Sequence, residues 1–182
     1  DDLGRLNGGL LHEFDVREQF VRAAAVEDAT VGHHHDALGK VGNDVPKVDA
    51  DLANRTYAAY YKALNAGLFH SSISPAIGGL AIAAARAAMG GRLGMTIRLD
   101  DVPKTGNLSD LETLFSESNS RFLVTCAKSD VPRLREIFAG IPFAEIGETN
   151  TGNSLEFVSA AGKVDLPLEE MVASYKATLA GV

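Results

Sequence analysis

The chain has 182 residues, 46% hydrophobic and 23% charged, which suits one soluble domain, or one domain with an added arm, whose core needs no staples. With 17 Lys and Arg against 24 Asp and Glu, the net charge of −7 repels phosphate backbones and argues against a nucleic-acid partner. Cys126 is the only cysteine, so an internal disulfide and a thiolate metal cluster are both excluded.

No stretch reaches the roughly 18 to 20 apolar residues of a membrane span, and no basic leader precedes an apolar core, so no membrane partner is expected. A start at Asp1 without Met reads as a piece of something longer. A reduced cytoplasmic compartment fits this composition.

Residues 1–47 read as an arm or linker. Leu10, Leu11, Phe14, Phe20, Val21 and Ala24 recur at roughly helical spacing and predict a helix over about Asp15 to Ala29. Gly32 to Val48 is irregular, with three glycines, a His run and Pro46. His33, His34 and His35 diverge on any backbone, so a solvated loop is expected there rather than converging metal ligands, and no metal site is assigned.

The main domain, 48–182, opens with Asp49 capping a helix through Ala66 that Gly67 stops. Leu52, Tyr57, Tyr60, Tyr61 and Leu64 form its predicted apolar stripe. A short strand over Leu68 to Ser72 follows, then an alanine-rich helix from Ile77 to Met89, ended by Gly90-Gly91. Leu93 to Leu99 alternates as a strand with Met95, Ile97 and Leu99 on one face.

Further on, Asp110 to Phe115 reads as a short helix and Arg121 to Ala127 as a strong strand. Ser129 caps a helix to Phe138. Phe143 to Glu148 and Leu155 to Ser159 read as a hairpin joined through Asn150-Thr151-Gly152-Asn153. Gly162 to Leu166 is a last short strand, and Pro167 sits at the first position of a helix running to Ala180. The fold class is α/β (α+β), a layered mixed sheet with flanking helices.

Three places bear on chemistry. Gly78 and Gly79 stand at a helix entrance, where free N–H groups favour an anion and a ligand approaches the backbone closely. Ser116, Glu117 and Arg121 precede a buried strand, where polar groups cap the loop or line a cleft; Glu117 and Arg121, four apart, pair with each other or face a ligand. His70 flanks a strand as a structural or ligand-proximal histidine. Against these stand absences: no Gly-x-x-x-x-Gly-Lys-Ser/Thr loop, no Gly-x-Ser-x-Gly elbow, and no acidic pair beyond Asp100-Asp101, which ends a strand. Catalytic residues are therefore not assigned, and no self-sufficient catalytic apparatus is expected.

Three strings occur in order: Gly42-Asn43-Asp44-Val45-Pro46-Lys47-Val48-Asp49, then His70-Ser71-Ser72-Ile73-Ser74-Pro75-Ala76-Ile77-Gly78-Gly79-Leu80-Ala81, then Leu114-Phe115-Ser116-Glu117-Ser118 with Arg121-Phe122-Leu123-Val124. Over about Gly39 to Ala160 this resembles the C-terminal domain of the phosphoribosylformylglycinamidine synthase family, within the aminoimidazole ribonucleotide synthetase superfamily. The Phe-Ser-Glu-Ser-x-x-Arg-Phe run is its most specific piece. The resemblance implies a purine-biosynthesis ligase that makes an amidine from formylglycinamide ribonucleotide with ATP, Mg and ammonia from glutamine. It also implies two partners, N-terminal ATP-binding domains of the same enzyme and a glutaminase subunit. An isolated domain would be inactive and hold no cofactor.

One departure stands out. The family's His-Asp-x-Ser-Asp-Gly-Gly-Leu string becomes Ile73-Ser74-Pro75-Ala76-Ile77-Gly78-Gly79-Leu80, which keeps the glycines and loses the charges. A packing role for the glycines is therefore expected. The alternatives are another superfamily member, or a noncatalytic scaffolding module whose arm forms a homodimer.

Overall fold

A computed structural model of the chain describes the strand backbone of Glu18–Ala24 and residues 49–177. Among these residues, seven strands form one sheet in the order β2-β4-β1-β5-β3-β6-β7. They are β1 (Glu18–Ala24), β2 (Ser71–Ile73), β3 (Gly94–Arg98), β4 (Arg121–Ala127), β5 (Phe143–Asn150), β6 (Ser154–Ser159) and β7 (Gly162–Pro167). All pairings are antiparallel except β3 with β6. The expected mixed sheet with flanking helices is what forms.

Among the described residues five α-helices flank it: α1 (Ala50–Asn65), α2 (Gly79–Gly91), α3 (Asp110–Phe115), α4 (Val131–Ile137) and α5 (Leu168–Ala177). Alternation along β4 divides the core. Leu123 joins a cluster with Leu80, Ala84, Met95, Ile97 and Leu155, whereas Val124 and Cys126 join Ala63, Leu134 and Phe138. Successive strand residues point to opposite faces, so α2 and α5 lie over one face and α1 and α4 over the other. The fully buried Ala84 and the nearly buried Ala83 and Ala88 let α2 settle closely on the strands.

Local chemistry explains most element ends. Asp49 accepts from Leu52 N at 2.9 Å and caps α1. Ser109 and Glu112 form a reciprocal capping box on α3. A 3-10 turn, Leu99–Asp101, ends β3, with Asp101 bound to Arg98 at 2.5 Å and Asp100 accepting from Ala160 N at 2.9 Å. The Asp100-Asp101 pair is thus structural.

Several sequence expectations are corrected. Across Glu18–Ala24 the predicted helix is a strand, paired on both sides, with β4 and β5. Two ladders satisfy its backbone groups, and that tertiary gain overrides a weak helical spacing. A boundary at 47/48 therefore places one inner strand on the arm side. The rest of that predicted helix, His33–His35 and Thr178–Ala180 lie outside the described residues.

β5 and β6 are not a hairpin either, because β3 inserts between them; the hairpin is β6–β7, closed at Ser159 and Gly162. Pro167 ends β7 instead of starting α5. On α1 the buried face is Leu52, Ala53, Thr56, Ala59 and Ala63, while Tyr57, Tyr61 and Leu64 are exposed. Small residues allow close approach to the sheet, and Thr56 Oγ1 is satisfied by Leu52 O at 2.8 Å. Gly90 and Gly91 fall inside α2, and Arg92 provides the left-handed cap at φ 53°. α4 starts at Val131 after a 3-10 turn over Lys128–Asp130, so Ser129 does not cap it.

Candidate functional site

Six residues were singled out by sequence, and five of them meet. β2 ends at Ile73, opposite Leu123, which brings the chain after it alongside the start of β4. There the entrance of α2 faces the loop between α3 and β4. Gly78 N–H donates to Glu117 Oε1 at 2.8 Å. Gly78 and Gly79 both have positive φ, 81° and 60°. A Cβ on Gly79 would stand 2.6 Å from both Leu114 O and Ser116 O, so only glycine lets α2 touch this backbone.

Arg121 anchors the other side of the loop. It is 4% exposed, and its guanidinium donates through Nε to Ser118 O at 3.0 Å, to Ser116 Oγ at 3.2 Å and to Ser116 O. One buried cation thus holds the loop carbonyls from within. The Glu117 carboxylate turns to Gly78 and the Arg121 guanidinium to the serines. His70 does not join them. Its backbone N–H donates to Thr125 O at 2.9 Å, at the far end of β2, and the residue is exposed.

A cleft of about 450 Å³ opens beside this unit, lined by Tyr57, Ser74–Ile77 and Glu117–Phe122. Sequence reasoning missed Tyr57, whose hydroxyl meets Ser120 Oγ at 2.6 Å, and Phe122, which stacks on Tyr60 with ring centroids 4.2 Å apart. The repeat of tyrosines at 57, 60 and 61 carried the signal, but helical spacing alone assigned them all to the core.

The donor set decides what this wall can hold. Two N–H groups at the helix entrance are engaged: Gly78 N–H by Glu117, and Gly79 N–H by Ala76 O at 2.9 Å. A carboxylate of the chain itself occupies the place of an incoming anion. Ile77, where the resemblance leads one to expect an acid, is 87% exposed. Among the described residues no three His, Cys, Asp or Glu side chains converge as a metal site. These residues do not fit a Mg²⁺–nucleotide by themselves, and they have no nucleophile–base pair. Nor is any helix among them long and apolar enough to cross a membrane.

Residues 22–159 match the family model "AIR synthase related protein, C-terminal domain". Phosphoribosylformylglycinamidine synthase subunit PurL of Thermococcus sibiricus is 35% identical over 102 residues, covering 56% of this chain and 14% of that protein. The Deinococcus radiodurans PurL is 31% identical over 146 residues, covering 79% and 19%. In structure, T. maritima PurL complexed with FGAR superimposes with a TM-score of 0.70 at 17% identity, covering 86% of this chain and 28% of that one. The same protein complexed with ATP gives 0.66 at 18%, covering 86% and 25%. This chain therefore spans less than a fifth of the curated relatives it matches. With the match running from inside β1 to the end of β6, the chain belongs to the AIR synthase related protein, C-terminal domain family.

Proposed function

We propose that this chain is the C-terminal domain of a cytoplasmic ATP-dependent ligase of purine biosynthesis. That ligase converts formylglycinamide ribonucleotide to its amidine with ammonia released from glutamine. The chain supplies a wall and a packing surface, with residues 1–47 as an arm that lends strand β1 to the sheet of the main unit, 48–182. ATP and Mg²⁺ are held by N-terminal domains of the same enzyme, and ammonia comes from a glutaminase subunit. Gly78, Gly79, Ser116, Glu117 and Arg121 form the loop that faces the neighbouring domain or its substrate, and His70 stands apart from it.

One observation carries this reading: Glu117 caps Gly78 and fills the only anion-binding place the sequence had offered. A helix entrance that already holds a carboxylate of its own chain suits docking better than phosphate chemistry. The PurL names of the curated relatives support the reaction class.

The test mixes the purified chain with ATP, Mg²⁺, formylglycinamide ribonucleotide and ammonia, with and without the upstream domains of the parent enzyme. ADP and amidine are expected only when those domains are present. ATP turnover by the chain alone, lost in Glu117→Gln, overturns the proposal.

A further inference from the structure

The outer edge of β7 has no partner strand among the described residues, and all of β7 except Leu166 is exposed. Its hydrogen-bonding parity is fixed. The hairpin closes on Ser159 and Gly162 across two residues, which makes that pair mutually bonded, and Leu168 N–H donates to Asn153 O at 2.8 Å in the same phase. The backbone groups of Gly162, Val164 and Leu166 therefore point to β6. Those of Lys163 and Asp165 point outward, and Pro167 offers no N–H.

Charge adds a second constraint. Glu156 of β6 lies directly opposite Asp165, two carboxylates in a position where like charges repel. Lys163, two residues from Asp165 on the same strand, donates from Nζ to Glu156 Oε1 at 2.6 Å.

We propose that β7 pairs antiparallel with β7 of a second copy of this chain about a two-fold axis at Val164. Outward groups must face outward groups, so three symmetric registers pair Lys163 and Asp165, the two residues that offer both an outward N–H and an outward C=O, among themselves. Centring on Lys163 sets lysine against lysine. Centring on Asp165 sets aspartate against aspartate and brings Pro167 into the ladder. Centring on Val164 places each Lys163 opposite the partner copy's Asp165, with both residues exchanging backbone hydrogen bonds. The two Val164 side chains, each 50% exposed alone, then meet at the axis. Each Asp165 gains a cation, which relieves its opposition to Glu156. A strand presenting lysine and aspartate two apart is complementary to itself in this register alone. This inference rests on β7 and is independent of the proposed reaction.

Sedimentation velocity of the full 182-residue chain over a concentration series tests it. The wild type is expected to dimerise reversibly. Lys163→Asp and Asp165→Lys should each weaken dimerisation by about tenfold or more, since two attractive pairs become two repulsive ones. An equimolar mixture of the two variants should form a heterodimer, because each then carries what the other lacks. Circular dichroism of each variant checks that it remains folded. A wild type monomeric throughout, single variants that dimerise like the wild type, or a mixture that stays monomeric, each overturns the proposal.

Discussion

Gly78 and Glu117, 39 residues apart in the chain, are joined by one hydrogen bond of 2.8 Å from backbone N–H to carboxylate. Around it, Gly79 rests against the carbonyls of Leu114 and Ser116, and Arg121 grips the same loop from inside. The entrance of α2 and the loop before β4 behave as one packed unit.

That unit makes Gly79 the position least tolerant of a side chain. Gly79→Val meets backbone rather than movable side chains and demands φ near 60° of a β-branched residue. A loss of about 2–4 kcal/mol is expected. Calorimetric melting of the chain, or of the whole parent enzyme, measures it; unchanged stability would rule out the packing role of this glycine.

Arg121→Met should cost about 2–3 kcal/mol, because the side chain keeps its bulk while the loop carbonyls lose a buried charged donor. Urea denaturation should show a lower midpoint with an unchanged slope. Arg121→Lys should recover only part of the loss, since an ammonium cannot match the guanidinium fork.

Arg92 offers a stabilising change. Its left-handed conformation at the end of α2 costs about 1 kcal/mol that glycine does not incur. Its ion pair with Glu169, 2.9 Å long, has side chains 53% and 81% exposed, so it contributes at most a few tenths. Arg92→Gly is expected to raise stability by about 0.5 kcal/mol by chemical denaturation. Glu169→Gln, which removes only the pair, should leave the midpoint nearly unchanged.

Lys163 titrates above the ordinary lysine value of 10.5, chiefly through its hydrogen bond to Glu156, with desolvation opposing and the charges of Glu156 and Asp165 assisting. Because the folded-state value is raised, the stabilisation is complete below the ordinary lysine range and is lost as pH climbs through the raised value. NMR titration of the Lys163 side chain should show the midpoint falling in Glu156→Gln.

Much of this architecture was legible in the residues. The cap at Asp49, the short helix Asp110–Phe115 and the strand Arg121–Ala127 follow local rules that tertiary contacts did not need to override. Gly78 and Gly79 were singled out separately from Ser116, Glu117 and Arg121, and only the fold brings the two groups together. What failed was long-range. Nothing local in Gln19-Phe20-Val21-Arg22 announces two partner strands so far downstream. Nor does Asn150-Thr151-Gly152-Asn153 show that β3 stands between the strands it joins. Alternation identifies a strand, but its neighbours are chosen by the whole core. The tyrosines of α1 misled for a related reason: an aromatic at helical spacing is apolar enough for a core, yet here alanines won the buried face by fitting closer.

The place of β1 has a consequence for biosynthesis. It is the earliest described strand to leave the ribosome, yet both of its ladders are completed by segments made about a hundred residues later. Until then β1 has neither partner, and a product shortened from its front through Ala24 would expose two raw strand edges, on β4 and β5, in the middle of the sheet. Such edges invite pairing with other nascent chains. The order of translation thus makes the amino-terminal segment the piece on which solubility during synthesis turns.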